Sequence, residues 1–88
     1  MIWQGERVLV TGGASFIGSH LVEDLVDEGA TVRVADDFSS GEMENLEAVE
    51  DEIEALSGNL KRRSFADEAT QDIDTVFHLA ADHGGRGY

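Results

Sequence analysis

A chain of 88 residues suffices for one small domain or a piece of a larger one, and the absence of cysteine excludes a disulfide framework, a thiolate metal site and a cysteine nucleophile. Nineteen acidic residues against six basic ones give a formal net charge of −13, which argues against nucleic acid and anionic membranes as partners. No apolar stretch approaches membrane-spanning length and the N-terminus carries no signal-peptide core, so a cytoplasmic location is expected.

The hydrophobic share, 41%, lies well above the disordered range, so a packed domain is expected. The same negative charge repels itself and favours a compact state only where salt screens it. With Lys61 as its single lysine, the composition predicts a halophilic protein.

Residues 1–5 form a lead-in in which Trp3 is expected to cover a sheet edge or a helix end. Val8, Leu9 and Val10 then make a short apolar run that suits a strand over 7–10 buried on both faces. Thr11, Gly12 and Gly13 break it, and an amphipathic segment predicts a helix over 16–28. Ile17, Leu21 and Leu25 share one face of that helix, with Val22 and Val26 beside them. Gly29 stops it where a left-handed residue is wanted.

A glycine turn between a strand and a helix N-terminus is an anion site, above all for phosphate, because free N–H groups and the positive end of the helix dipole converge there. Gly12 or Gly13 lets the chain turn sharply, and Gly18 lets the helix pack closely against the turn. The middle position of the dinucleotide fingerprint is Ser15 rather than glycine. Its hydroxyl could bond a phosphate oxygen, at the loss of free access to positive φ. His20 lies within the helix with no second ligand at helical spacing, so no metal site is expected.

Residues 31–35 form the second strand and run into Asp36-Asp37. In a parallel strand–helix–strand unit this end lies beside the glycine turn, and Asp36 stands 18 positions beyond Gly18. A carboxylate there accepts from the adenosine ribose hydroxyls and repels the 2′-phosphate of NADP, which favours NAD. Residues 38–41 read as a loop and 43–50 as a short helix. The seven acidic residues from Glu42 to Glu54 read as a solvated face, since their spacing is not that of a calcium loop.

A third strand is predicted over 53–56, ending at Ser57-Gly58, with Asn59 and Leu60 on the cofactor side of the sheet. Lys61-Arg62-Arg63 reads as local compensation for the acidic helix, and a short helix over 64–71 takes Ser64 as its N-cap. A fourth strand over 75–79 opens into small residues and glycines that let a flat ligand approach the backbone. Four strands alternating with helices over short connections make a doubly wound parallel α/β sheet the economical topology.

Thr11-Gly12-Gly13-Ala14-Ser15-Phe16-Ile17-Gly18-Ser19-His20-Leu21, the Asp36-Asp37-Phe38-Ser39-Ser40-Gly41 segment and Phe77-His78-Leu79-Ala80-Ala81 together resemble the extended short-chain dehydrogenase/reductases. These are the NAD-dependent sugar-nucleotide epimerases and dehydratases. The resemblance covers nearly the whole chain and implies the N-terminal portion of a Rossmann-type domain across residues 1–88. The final loop, with Gly84-Gly85-Arg86, looks most like the GDP-mannose 3,5-epimerase branch.

Carried over to these positions, the resemblance implies that Gly12, the backbone of Ser15, Phe16 and Ile17, and Gly18 meet the NAD pyrophosphate. Asp36, with Asp37 beside it, would hold the adenosine ribose, while Phe38, Ser39 and Ser40 line the adenine side. Asn59 and Leu60 stand where the family has Asp-Leu against adenine; an Asn carbonyl still accepts from the adenine amino group. Leu79, Ala80 and Ala81 would border the cofactor riboses, and Gly84, Gly85 and Arg86 the nucleoside-diphosphate sugar. Homodimers are expected for family members.

The family's Tyr-x-x-x-Lys pair, in which lysine lowers the pKa of a tyrosine acid–base, has no counterpart, because Tyr88 is the one tyrosine and no lysine follows it. No catalytic residue is therefore assigned in this chain. The expectation is the NAD-binding part of an epimerase or dehydratase. A stand-alone NAD-binding or regulatory module and an inactive truncated remnant are the alternatives.

Overall fold

The computed structural model describes residues 3–38 and 42–79. The strands are β1 (Arg7–Thr11), β2 (Thr31–Asp36), β3 (Ile53–Ser57) and β4 (Thr75–His78). They pair in parallel in the order β3–β2–β1–β4, which makes β1 and β2 the inner pair. Helix α1 (Phe16–Asp27) joins β1 to β2, a 3-10 helix (Met43–Glu52) precedes β3, and α2 (Arg63–Thr70) precedes β4.

The alternation of β1 explains the layers. Val8 and Val10 register with Val32 and Val34, and this face packs on Val22 and Leu25 of α1 and on Leu46 and Val49 of the 3-10 helix. Leu9 and Ala35 point the other way, onto Ala69 of α2, with Leu56, Phe65 and Ile73 around them. Covering both faces is what a parallel sheet requires. Trp3 closes the first core over the β4 side, its ring centroid 5.6 Å from that of Phe77.

Several local expectations change. Ile17 is 74% exposed, and the buried stripe of α1 runs through Gly18, Ser19, Val22 and Leu25 instead. The first turn of α1 presents its small residues to the strand–helix turn, so the bulky Phe16 and Ile17 are left on the outside. Leu21 and Val26 do pack on the core, half-buried. The segment after the loop is a 3-10 helix because Met43, Leu46 and Val49 recur every third residue, and side chains three apart eclipse in a helix of three residues per turn. Ser64 lies inside α2, whose N-cap is Arg62 with no side-chain cap bond. Strands β1, β2 and β3 each run one residue further than the apolar pattern, and β4 stops one residue short of Leu79.

Two arginines organise the end of the sheet at which β1 begins. Arg33, on the α2 face of β2, donates Nη1 to the carbonyls of Ala69 (2.8 Å) and Gln71 (2.9 Å) and pairs Nε with Glu54 (2.8 Å). It thereby satisfies carbonyls at the C-terminal end of α2, where cations are also favoured by the helix dipole. Arg7 ties the start of β1 to Asp74 before β4: its backbone N–H donates to Oδ2 at 2.9 Å and its guanidinium lies alongside. That backbone bond, then the guanidinium, holds the Asp74 carboxyl below the usual carboxylate range.

Candidate functional site

The C-terminal edge of the sheet gathers the residues singled out from the sequence. β1 ends in Thr11, and Gly12 turns the chain with φ +71°, a conformation few side chains tolerate. Gly12 N–H donates to Ala35 O across the strands (2.9 Å), and Gly12 O accepts from Ser15 N–H (3.2 Å). A Cβ on Gly13 would come within 2.8 Å of Val34 Cγ1, and one on Gly18 would collide with the Gly12 carbonyl. Gly12 is therefore the residue that makes the sharp turn, and Gly18 the one that permits close packing.

Ser15 is the N-cap of α1, with φ −72° and ψ 165°. Its Oγ accepts from Gly18 N–H (3.0 Å) and donates to Gly12 O (2.8 Å). The position needs no positive φ, and the hydroxyl is committed within the turn. A serine directly before the first helical residue is the signal for this role, and the preference for Ser at N-caps would have found it. The N–H groups of Phe16 and Ile17 belong to the first turn and have no partner within the helix. Their side chains are exposed, with Phe16 edge-on to the exposed His20 ring at 4.8 Å.

Asp36, 7% exposed at the end of β2, is aimed at this turn. Oδ2 accepts from Ala14 N–H at 3.0 Å, and Oδ1 accepts from Phe38 N–H at 2.8 Å. The second bond holds Phe38 at φ +60°, the left-handed region, with its ring half-buried against the first core. From the other side, Ala14 O accepts two bonds, one from Asn45 Nδ2 at 2.7 Å and one from Glu42 N–H at 3.1 Å. Sequence reasoning missed Asn45 and the Ala14 peptide, which tie the glycine turn to the end of β2 and to the start of the 3-10 helix.

The other strand ends converge on the same edge. Gly58 N–H donates to Asp36 O (3.1 Å), and Asn59 Oδ1 accepts from Lys61 N–H (2.9 Å). Leu60 is half-buried on the second core and Asp37 is exposed. Leu79 N–H donates to both Thr11 O and Thr11 Oγ1, each at 3.0 Å, while Thr11 Oγ1 meets His78 Nδ1 at 2.8 Å. This Thr11–His78 tie, also missed, binds the end of β4 to the glycine turn. Ser39, Ser40, Ala80, Ala81, Gly84, Gly85 and Arg86 lie outside the described residues.

At the opposite end, Arg7, Thr31, Arg33, Ile53 and Asp72 border a groove of about 380 Å³. Its two arginines are engaged with Asp74, Glu54 and the end of α2. Among the described residues, the features expected to favour an anion gather at the glycine-turn edge. Among the described residues no group of three His, Asp or Glu could hold a metal ion, and no helix is long and apolar enough to cross a membrane.

Known proteins share this arrangement. UDP-N-acetyl-alpha-D-glucosaminuronate decarboxylase from Bacillus cytotoxicus is 40% identical over 76 residues, covering 86% of this chain and 24% of that protein. The structure of epimerase Mth375 from Methanothermobacter thermautotrophicus superposes with a TM-score of 0.85 at 36% identity, over 92% of this chain and 24% of that one. UDP-glucose 4-epimerase from Thermus thermophilus, solved in complex with NAD, gives a TM-score of 0.76 at 40% identity, over 86% and 24%. The chain therefore spans about a quarter of the length of these relatives. The family model for the NAD dependent epimerase/dehydratase family matches residues 8–88. With that model matched over most of its length and its parallel sheet superposing on these structures, this chain belongs to the NAD dependent epimerase/dehydratase family.

Proposed function

We propose that residues 1–88 form the NAD-binding N-terminal portion of an enzyme acting on a nucleoside-diphosphate sugar by transient hydride transfer. The observation that carries the reading is the buried Asp36 carboxylate, docked 3.0 Å from Ala14 N–H in the turn that opens α1. The residues present fit a dinucleotide. Gly18 keeps the first turn clear of a Cβ, and the N–H groups of Phe16 and Ile17, without partners within the helix, would donate to a diphosphate. Asp36 has lone pairs left to accept from ribose hydroxyls, and its charge opposes a 2′-phosphate.

When bound, NAD supplies the oxidant for a sugar carbon and the hydride that later restores it. This chain's part is to grip and orient: Gly12 and Gly18 admit the diphosphate, Asp36 selects the ribose, and Phe38, Asp37, Asn59 and Leu60 border the adenine side. Leu79, tied to Thr11, would border the cofactor riboses together with Ala80 and Ala81. For the substrate, Gly84, Gly85 and Arg86 favour a GDP-mannose-like sugar by resemblance, whereas the named relatives point to UDP-sugars. A Tyr-x-x-x-Lys segment and a substrate domain would come from further chain.

Calorimetric titration of the chain in molar KCl tests the reading. NAD is expected to bind, with NADP weaker by on the order of tenfold or more, the cost of one opposed charge pair. Equal affinity for the two dinucleotides, or none for NAD, overturns it. Parallel titrations with GDP-mannose and UDP-glucose decide the nucleotide.

A further inference from the structure

We propose that Ser15 competes with the dinucleotide for the first turn of α1 and keeps this chain's affinity for NAD low. The inference rests on the reading of the glycine turn as a diphosphate site. Two facts about Ser15 carry it. Its Oγ already accepts from Gly18 N–H at 3.0 Å, so one of the donors that open at the helix N-terminus is taken by the protein itself. Its single hydroxyl proton goes to Gly12 O at 2.8 Å, so it has none left to offer a phosphate.

An incoming phosphate oxygen therefore meets the lone pairs of Oγ rather than an O–H group. To donate to that oxygen the hydroxyl must rotate away from Gly12 O, which then keeps only the longer bond from Ser15 N–H at 3.2 Å. The bond given up within the turn offsets what the new bond to phosphate gains. The side chain also adds bulk at the fingerprint position where a dinucleotide's pyrophosphate is reached by bare backbone. Nothing in the backbone demands a side chain here. With φ −72° and ψ 165°, glycine fits position 15 without strain, and glycine is an acceptable N-cap.

The test titrates the full chain and its Ser15→Gly and Ser15→Thr variants with NAD and with adenosine, which carries no phosphate. Affinities are read by calorimetry for NAD and by NMR shifts for adenosine, with circular dichroism confirming that each variant retains its fold. Ser15→Gly is expected to bind NAD on the order of tenfold tighter, the equivalent of about 1.4 kcal/mol, with adenosine affinity unchanged. Ser15→Thr keeps the hydroxyl and the cap, and is expected to bind NAD no more tightly than the wild type. Equal or weaker NAD binding by Ser15→Gly, while the wild type binds NAD, overturns this inference and leaves the diphosphate site standing. A parallel gain for adenosine also overturns it, because the effect would then not act on the phosphates. If neither the wild type nor Ser15→Gly binds NAD, the site reading fails and this inference with it.

Discussion

Asp36 pins the turn and is the proposed ribose ligand, and the two roles can be separated by measurement. Both of its oxygens receive backbone N–H groups, from Ala14 and from Phe38, so the carboxylate is a structural pin for the turn as well as the proposed ribose ligand. In Asp36→Asn the amide Nδ2 must face one of those two N–H groups, and a buried donor loses its acceptor. Such a loss costs about 1–3 kcal/mol, so the thermal midpoint is expected to fall. The NAD-over-NADP preference is expected to narrow in the same variant, because the charge that opposes a 2′-phosphate is gone. An unchanged midpoint in a thermal melt counts against the pinning role, and an unchanged preference against the ribose role. Asp36 was legible in the sequence because a strand end and a glycine turn set its place from short-range pattern alone. Asn45 was not: its bond to Ala14 spans 31 positions, and no local rule couples an asparagine in an acidic helix to a glycine turn. Ser15 was visible as a departure from glycine, but its direction of action depends on where one hydroxyl proton points.

The elements were legible in proportion to how strongly one pattern dominated. Val8 to Val10 is an apolar run and Thr31 to Ala35 carries two valines around Arg33, and the structure makes the two strands the central pair. The ends blurred because Thr11 and Asp36 are polar residues that stay in the ladder to serve the turn. Ile17 misled because it fits the helical period, yet the turn beneath the first coil of α1 has room only for Gly18 and Ser19. Ser64 misled because Arg62 and Arg63 already begin α2, against the helix dipole, held there by Phe65 and Ala69 packing. Strand ends are also held by charge, and Asp74 offers a pH readout. Its folded carboxyl titrates below its unfolded value, so the folded chain binds that proton less readily. The Arg7–Asp74 contribution to stability is thus complete above the ordinary carboxylate range and is lost as pH falls through the lowered value. Asp74→Asn is expected to be less stable than the wild type at neutral pH, with the two converging on acidification. A difference that stays constant with pH would assign the effect to packing rather than charge. The pair is solvent-exposed, so the difference is expected to be small and to shrink in salt.

At the scale of the whole molecule, charge is expected to weigh on both folding and ligand capture. A formal −13 is carried by a body measuring 37 × 25 × 23 Å. At ~0.1 M salt the screening length is about 10 Å, so acidic side chains on neighbouring elements still repel one another, and at ~1 M it is about 3 Å and only adjacent groups do. The core that opposes this repulsion is unequal, since the α2 side buries Leu9, Ala35 and Ala69 while Val76 of β4 remains 47% exposed. The thermal midpoint is therefore expected to rise steadily from dilute buffer to molar KCl. The proposed ligand is itself an anion approaching an anionic protein. Its affinity is expected to rise with salt as well, the reverse of the usual dependence for a diphosphate held by cationic side chains. Helix N–H groups and the dipole act at contact distance and are little screened there, whereas the opposing field of the acidic surface acts at longer range and is screened away. A midpoint that stays flat or falls with KCl refutes the argument, as does NAD binding that weakens with salt. A neutral osmolyte at equal osmolality separates screening from exclusion, because sucrose strengthens burial without touching the charge. If sucrose reproduces the whole gain in stability, the acidic surface is not what limits this fold.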